Sequence, residues 1–138
     1  AGSLNGAAIR ARGTVNTVLA GSAVNSTLFA GIRSDLSGLP AAAGDFLAPL
    51  NPARPTAIGA FLIVNPLGQV SNCYLAATRM GTVLVRNVQS SAGSGPWGLA
   101  ADEVISTLIT SNTGQQPDID VDIRASLPAV GNVQVRIV

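Results

Sequence analysis

Asp118, Asp120 and Asp122 are the residues of this chain whose type and spacing come nearest to chemistry. They alternate with Ile119, Val121 and Ile123, so in an extended strand the three carboxylates share one face, ~6.6–7 Å apart. A calcium ion takes oxygens at about 2.3–2.6 Å, so neighbouring carboxylates could share one only with help from loops or another subunit. The simpler expectation is a solvated face whose like charges keep a strand edge from pairing with foreign sheets, softened by Arg124 and Arg136. An ion or salt-bridge site between subunits is the second expectation for these three metal candidates, and catalysis the last.

Trp97 is the other candidate. It sits in a Ser/Gly-rich stretch, 89–98, where an indole could pack over the end of the core, anchor a protein interface or stack on a sugar ring. Sugar-binding faces present several aromatics, and this chain has three Phe, one Tyr and one Trp in all.

Most catalytic constellations are excluded by composition. The chain has no His and no Lys, which removes Ser-His-Asp and Cys-His catalysis, histidine metal sites, Schiff bases and the phosphate-loop lysine. Ala92-Gly93-Ser94-Gly95 is not followed by the Gly-Lys-Ser/Thr that a phosphate cradle needs. Glu103 is the only glutamate, and Asp35-Leu36-Ser37-Gly38 misses the Asp-Ser-Gly of an aspartic protease by one residue. The expectation is a protein that is not an enzyme and uses no cofactor.

Charge density points the same way. Charged residues are 11% of the 138, against a usual ~25%, and eight Arg against seven acids leave a net +1. So thin a surface charge suits a subunit packed against copies or other subunits better than a solitary soluble protein. Arg10 and Arg12 are the only close pair of cations, too few to neutralise a phosphate backbone, so direct nucleic-acid binding is not expected. Cys73 has no partner for an intrachain disulfide and lies in an apolar run, where a buried thiol is expected. No apolar stretch approaches the ~20 residues of a membrane helix, and no charged-then-apolar leader pattern occurs. Ala1 in first place fits either removal of an initiator Met or cleavage of a precursor. Asn25-Ser26-Thr27 matches the glycosylation sequon, read as a chance match.

The elements that must position these residues are short. Residues 57–64, 70–77 and 82–88 are three apolar runs of strand length, separated by Asn65-Pro66-Leu67-Gly68, with the residues of a type I turn, and by the weaker Thr78-Arg79-Met80-Gly81. They predict a three-strand antiparallel meander at the centre of the core. Residues 14–32 echo themselves at nine residues (Val15-Asn16-Thr17, then Val24-Asn25-Ser26), which predicts two strands about a turn at Gly21-Ser22 and is too little to claim a repeat. Leu99–Thr110 carries apolar residues at helical spacing behind Asp102 and Glu103, predicting a short helix, with strand the rival because of its β-branched content. Val133–Ile137 alternates and is expected to close a C-terminal hairpin with 118–123 across a loop at 127–132.

Two segments fall outside this pattern. Residues 1–13 are small, polar and Gly-rich, hence expected to be flexible. Residues 36–56 hold Pro40, Pro49, Pro52 and Pro55, which fit neither helix nor interior strand, yet also Phe46, Leu47 and Leu50, which resist exposure. That combination predicts an extended arm laid on a surface, its own or a neighbour's, with Phe46, Leu47, Leu50 and Trp97 as interface residues.

The sequence therefore predicts one β-rich domain over 1–138, an antiparallel sandwich or barrel of about seven to eight short strands with one short helix and the proline-rich arm. Its expected role is a structural subunit of a larger assembly, a homo-oligomer or a component among other subunits, such as a virion outer-shell, decoration or tail protein. The missing basic arm argues against a coat that wraps nucleic acid directly. A secreted binding module centred on Trp97, located outside the cell, is the alternative, and an aspartate- and metal-dependent enzyme the third.

Overall fold

The computed structural model describes residues 2–88, 97–111 and 133–138. Twelve strands occur in that span, and every pairing between them is parallel. In order they are β1 (Ser3–Asn5), β2 (Ala8–Ala11), β3 (Val15–Ala20), β4 (Ser22–Val24), β5 (Thr27–Ala30), β6 (Ala57–Ile63), β7 (Val70–Ser71), β8 (Tyr74–Ala77), β9 (Arg79–Val88), β10 (Trp97–Ala101), β11 (Glu103–Ser111) and β12 (Val133–Ile137). The antiparallel sandwich or barrel expected from the sequence is thus overturned: the chain is β-rich, but its sheets are parallel.

The pairing order shows how the chain winds. One sheet runs β12-β10-β8-β5-β2; the other runs β1-β4-β7-β9-β6-β3, with β11 added on β9. Successive strands in the chain do not pair with each other. Instead each strand lies beside its equivalent one turn later: Ser3 beside Ser22, Ala8 beside Thr27, Val15 beside Ile58. The backbone coils as a parallel β-helix with three faces. β1, β4 and β7 stack on the first; β2, β5, β8, β10 and β12 on the second; β3, β6, β9 and β11 on the third.

Single-residue corners explain why no hairpin forms. Gly21 alone separates β3 from β4, Thr78 alone separates β8 from β9, and Asp102 alone separates β10 from β11. One residue cannot reverse a chain into an antiparallel neighbour, which takes a loop of two residues or more, but it can turn the chain onto the next face. The expected meander therefore resolves differently. Residues 70–77 break into β7 and β8 about Asn72-Cys73, the turn predicted at Thr78–Gly81 is the Thr78 corner followed by the start of β9, and β6 pairs in parallel with β9. The Asn65–Gly68 turn does form, closed by the Gly68 N–H on the Asn65 carbonyl at 2.9 Å. The helix expected over Leu99–Thr110 is β10 and β11, the rival reading of that stretch. The nine-residue echo measured one face against the next, whereas the repeat is the coil itself.

Corners between the first and second faces share one device. Gly6, Asn25 and Asn72 occupy equivalent positions and all have left-handed backbone, φ +62°, +49° and +48°. Glycine adopts this geometry freely, and asparagine tolerates it better than other side chains. Asn72 donates its side-chain amide to the Asn25 carboxamide oxygen at 2.9 Å, tying one coil to the next.

The coil interior is the core. Leu28, Leu75, Leu99 and Val135 stack in register on the inner side of the second face, Ile58 on Met80 and Phe61 on Val83 on the third. The alternate residues point outward, so a single-sided alternation suffices to fill the centre. Residues 2–13, expected to be flexible, are instead the first coil: β1 and β2 pair in register with β4 and β5.

The proline-rich segment is an excursion from one coil. Residues 31–56 leave after β5 and return at β6, making one 3₁₀ turn (Ala43–Asp45) and two isolated bridges, Ile32 with Phe46 and Asn51 with Arg54. Its first half covers the outside of the second face, where Phe29, Ala76 and Ala100 form a second apolar cluster with Ile32 and Leu39, and Leu36 and Phe46 pack against it. None of the helices among the described residues is long and apolar enough to cross a membrane.

Candidate functional site

Between β2 and the excursion lies a groove of about 450 Å³, lined by Arg10, Arg12, Ile32, Arg33, Asp35 and Leu47 among others. β2 supplies Arg10, turned outward because its neighbour Ile9 packs on the coil interior, and Arg12 follows in the bend just past the strand's end. Arg10 is fixed. Its guanidinium stands 4.8 Å over the Phe29 ring and donates to the Arg33 carbonyl at 3.3 Å and to the Leu36 carbonyl. This one side chain thereby clips the start of the excursion to the second face.

Arg33 and Asp35 neutralise each other. Nη2 and Nε of Arg33 donate to the two carboxylate oxygens of Asp35 at 2.6 and 3.1 Å. The bidentate pair holds the Asp35 carboxyl below the usual carboxylate range and raises Arg33 further. A carboxylate so held is a poor proton acceptor, and Ser34 beside it has no histidine in the chain to activate it. Arg12 is exposed on the groove wall and makes no side-chain hydrogen bond or ion pair with the described residues. The groove offers an anion one anchored guanidinium and one that is unengaged among the described residues.

The sequence candidates are scattered relative to this groove. Leu47 lines it, and its N–H donates to the Gly31 carbonyl at 2.7 Å. Phe46 is half-buried against the cluster on the second face of its own chain, whereas Leu50 is 65% exposed. Trp97 is 2% exposed within the coil interior, its ring spent on packing, and its indole N–H has no acceptor among the described residues. Asp118, Asp120 and Asp122 lie outside the described residues, as does the first half of the expected C-terminal hairpin. The second half, β12, has Val135 buried and pairs in parallel with β10. Among the described residues no group of three or more His, Cys, Asp or Glu could hold a metal ion.

Cys73 is buried at the corner after Asn72, and its thiol donates to the Ser71 carbonyl at 3.2 Å. Burial pushes its pKa up, so the reactive thiolate is disfavoured there. Asn25 of the sequon is engaged by Asn72 in the corner ladder.

Sequence reasoning noticed Arg10 and Arg12 only as a pair too small for nucleic acid. What it lacked was the excursion that brings Arg33, Asp35 and Leu47 beside them from more than twenty residues away. The outward alternation in Ala8-Ile9-Arg10-Ala11-Arg12 was the available signal.

Fold and groove together define a parallel β-helix with a cationic groove at its first coil. Compared with known proteins, the chain matches no family model, no curated protein and no solved structure.

Proposed function

We propose that this chain is a structural subunit of a larger protein assembly, acting through association rather than catalysis, and that a virion outer-shell, decoration or tail component is the form that suits it. The observation that supports the reading is the open first coil. β1, β2 and β3 are each the end strand of their sheet among the described residues, so a whole coil presents unpaired N–H and C=O groups along the helix axis. Such an edge is a template for another parallel strand. Sparse surface charge, 11% of residues, leaves little repulsion to keep copies apart.

The carbonyls of Ala7 and Ala11 accept from Thr27 and Gly31 of the next coil. By the alternation of a parallel strand, the main-chain groups of Ala8 and Arg10 therefore face the open side. Proline at position 8 removes a donor from that side alone. Sedimentation velocity of the wild-type chain should give multiples of 13.9 kDa, and Ala8→Pro should shift the population toward monomer with its circular dichroism unchanged. A wild-type chain that stays monomeric up to its solubility limit removes the reading.

A binding module is the second reading. The observation that favours it is the groove at Arg12, not Trp97, whose ring is buried.

A further inference from the structure

We propose that the groove beside β2 receives an extended acidic strand from a second copy of this chain, with carboxylates two residues apart pairing with Arg10 and Arg12. The inference rests on the assembly reading above and names the contact that would carry it.

Three features of the groove select such an occupant. The open side of β2 offers main-chain donors and acceptors at Ala8 and Arg10, which an added parallel strand would satisfy. Side chains two residues apart on that strand recur at ~6.6–7 Å, and the two arginines are likewise two residues apart in the chain, Arg10 on β2 and Arg12 just past its end; cross-strand neighbours of opposite charge attract. The two guanidiniums are also the available ones. Arg33 is neutralised by Asp35, Arg12 has no partner among the described residues, and Arg10 is held by the Arg33 and Leu36 carbonyls and the Phe29 ring. Carbonyl bonds leave Arg10 its full charge, and an anchored guanidinium loses little freedom when it pairs.

The sequence carries one run with acids at that interval: Asp118, Asp120 and Asp122. Three carboxylates against two unneutralised guanidiniums are complementary in sign, and both sets recur at every second residue of the sequence. A phosphate polymer would present a denser charge than two cations can neutralise.

The test uses the full chain and a labelled synthetic peptide of residues 117–124, Pro-Asp-Ile-Asp-Val-Asp-Ile-Arg, followed by fluorescence anisotropy at low ionic strength. Saturable binding is expected, weakened about tenfold by Arg12→Gln and by added salt, and unchanged by Arg54→Gln, a cation outside the groove. Arg12 has no side-chain hydrogen bond or ion pair to lose within the described part of its own chain, so Arg12→Gln should fold normally, which circular dichroism checks. A peptide with the three aspartates made contiguous should bind less well, and one with asparagines in their place should not bind. Equal binding by Arg12→Gln, or by the contiguous peptide, overturns the inference.

Sedimentation of intact chains separates it from the reading beneath it. If wild type and Arg12→Gln associate equally and the peptide does not bind, the groove is wrong while assembly through the bare coil edge stands. If the wild type never associates, the assembly reading falls. If the peptide binds while the chain stays monomeric, a second copy is not the occupant.

Discussion

Asn72 and Asn25, forty-seven positions apart in the chain, sit one above the other at the same corner, the amide of Asn72 donating to the carboxamide oxygen of Asn25 at 2.9 Å. Both have left-handed backbone, and each ends a strand of the first face. Conformation weighs more here than the exposed hydrogen bond. Asn72→Ala places a Cβ-bearing residue with no polar side chain in left-handed geometry, at about 1–2 kcal/mol. Asn72→Gly keeps the geometry and loses mainly the side-chain bond. Urea unfolding should therefore rank wild type above Gly and Gly above Ala; Ala equal to Gly would mean the backbone geometry is not what matters.

Gly81 tests the stacking on the third face. A Cβ at Gly81 would lie 2.0 Å from the Gly59 carbonyl oxygen, and one at Gly59 would lie 2.4 Å from that of Asn16. These are main-chain atoms locked in the ladder, so they cannot step aside. Gly81→Ala should cost about 1–3 kcal/mol by denaturant unfolding. Gly44→Ala, on the excursion with nothing within 4 Å of the new methyl, should change little.

Cys73 should be inert in the folded chain. Its side chain is buried in the coil interior, and the space beside it, between Ile9, Phe61 and Leu75, amounts to about 10 Å³. A disulfide-exchange reagent should modify it only through unfolding, at least ~10³-fold more slowly than in denaturant, since folded chains open in roughly 10⁻³ or less of molecules. The raised thiol pKa fixes the sign with pH: the neutral thiol is favoured on folding, and that contribution is lost as pH rises from the usual value of 9.0 through the higher folded one. Fast labelling under native conditions would place the thiol at the surface.

Acid should release the excursion before the β-helix. The Asp45 carboxylate accepts from the N–H groups of Ala41 and Ala42 at 2.8 and 3.1 Å, which holds its pKa below 3.8; Asp35 is lowered by Arg33. A folded pKa below the unfolded one means stability present at neutral pH and lost as pH falls from about 3.8 through the lower value. Pepsin near the bottom of that window should cut within 36–56 first. Asp45→Asn should make the excursion protease-sensitive at neutral pH, where wild type resists, and so should Phe46→Ser, which removes the ring packed on the second face. A wild-type cleavage pattern unchanged between neutral and acid conditions would sink this account.

Several features could be read without the fold. Short runs between turn residues, rich in Val, Ile and Leu, specify strands because the side-chain period is local, and Asn65-Pro66-Leu67-Gly68 specifies its turn through its own dihedrals. The burial of Cys73 followed from its apolar run. The mismatch of four prolines with Phe46, Leu47 and Leu50 announced an irregular segment that must lie against something.

The parallel winding was decided only in three dimensions. Alternation tells which side of a strand is wet and nothing about which strand lies beside it, so 57–88 read equally as a meander. The coil repeat was hidden because its length changes from turn to turn. Ser3 and Ser22 are 19 residues apart, but the excursion puts 47 between Ala23 and Val70, and 24 separate Tyr74 from Gly98. Leu99–Thr110 read as a helix from the spacing of Val104, Ile105, Leu108 and Ile109, yet all four lie within the one strand β11, where β-branched content and pairing with β9 prevail. The groove at Arg12 exists because Arg33, Asp35 and Leu47 return over β2, a contact between distant segments that no local pattern contains.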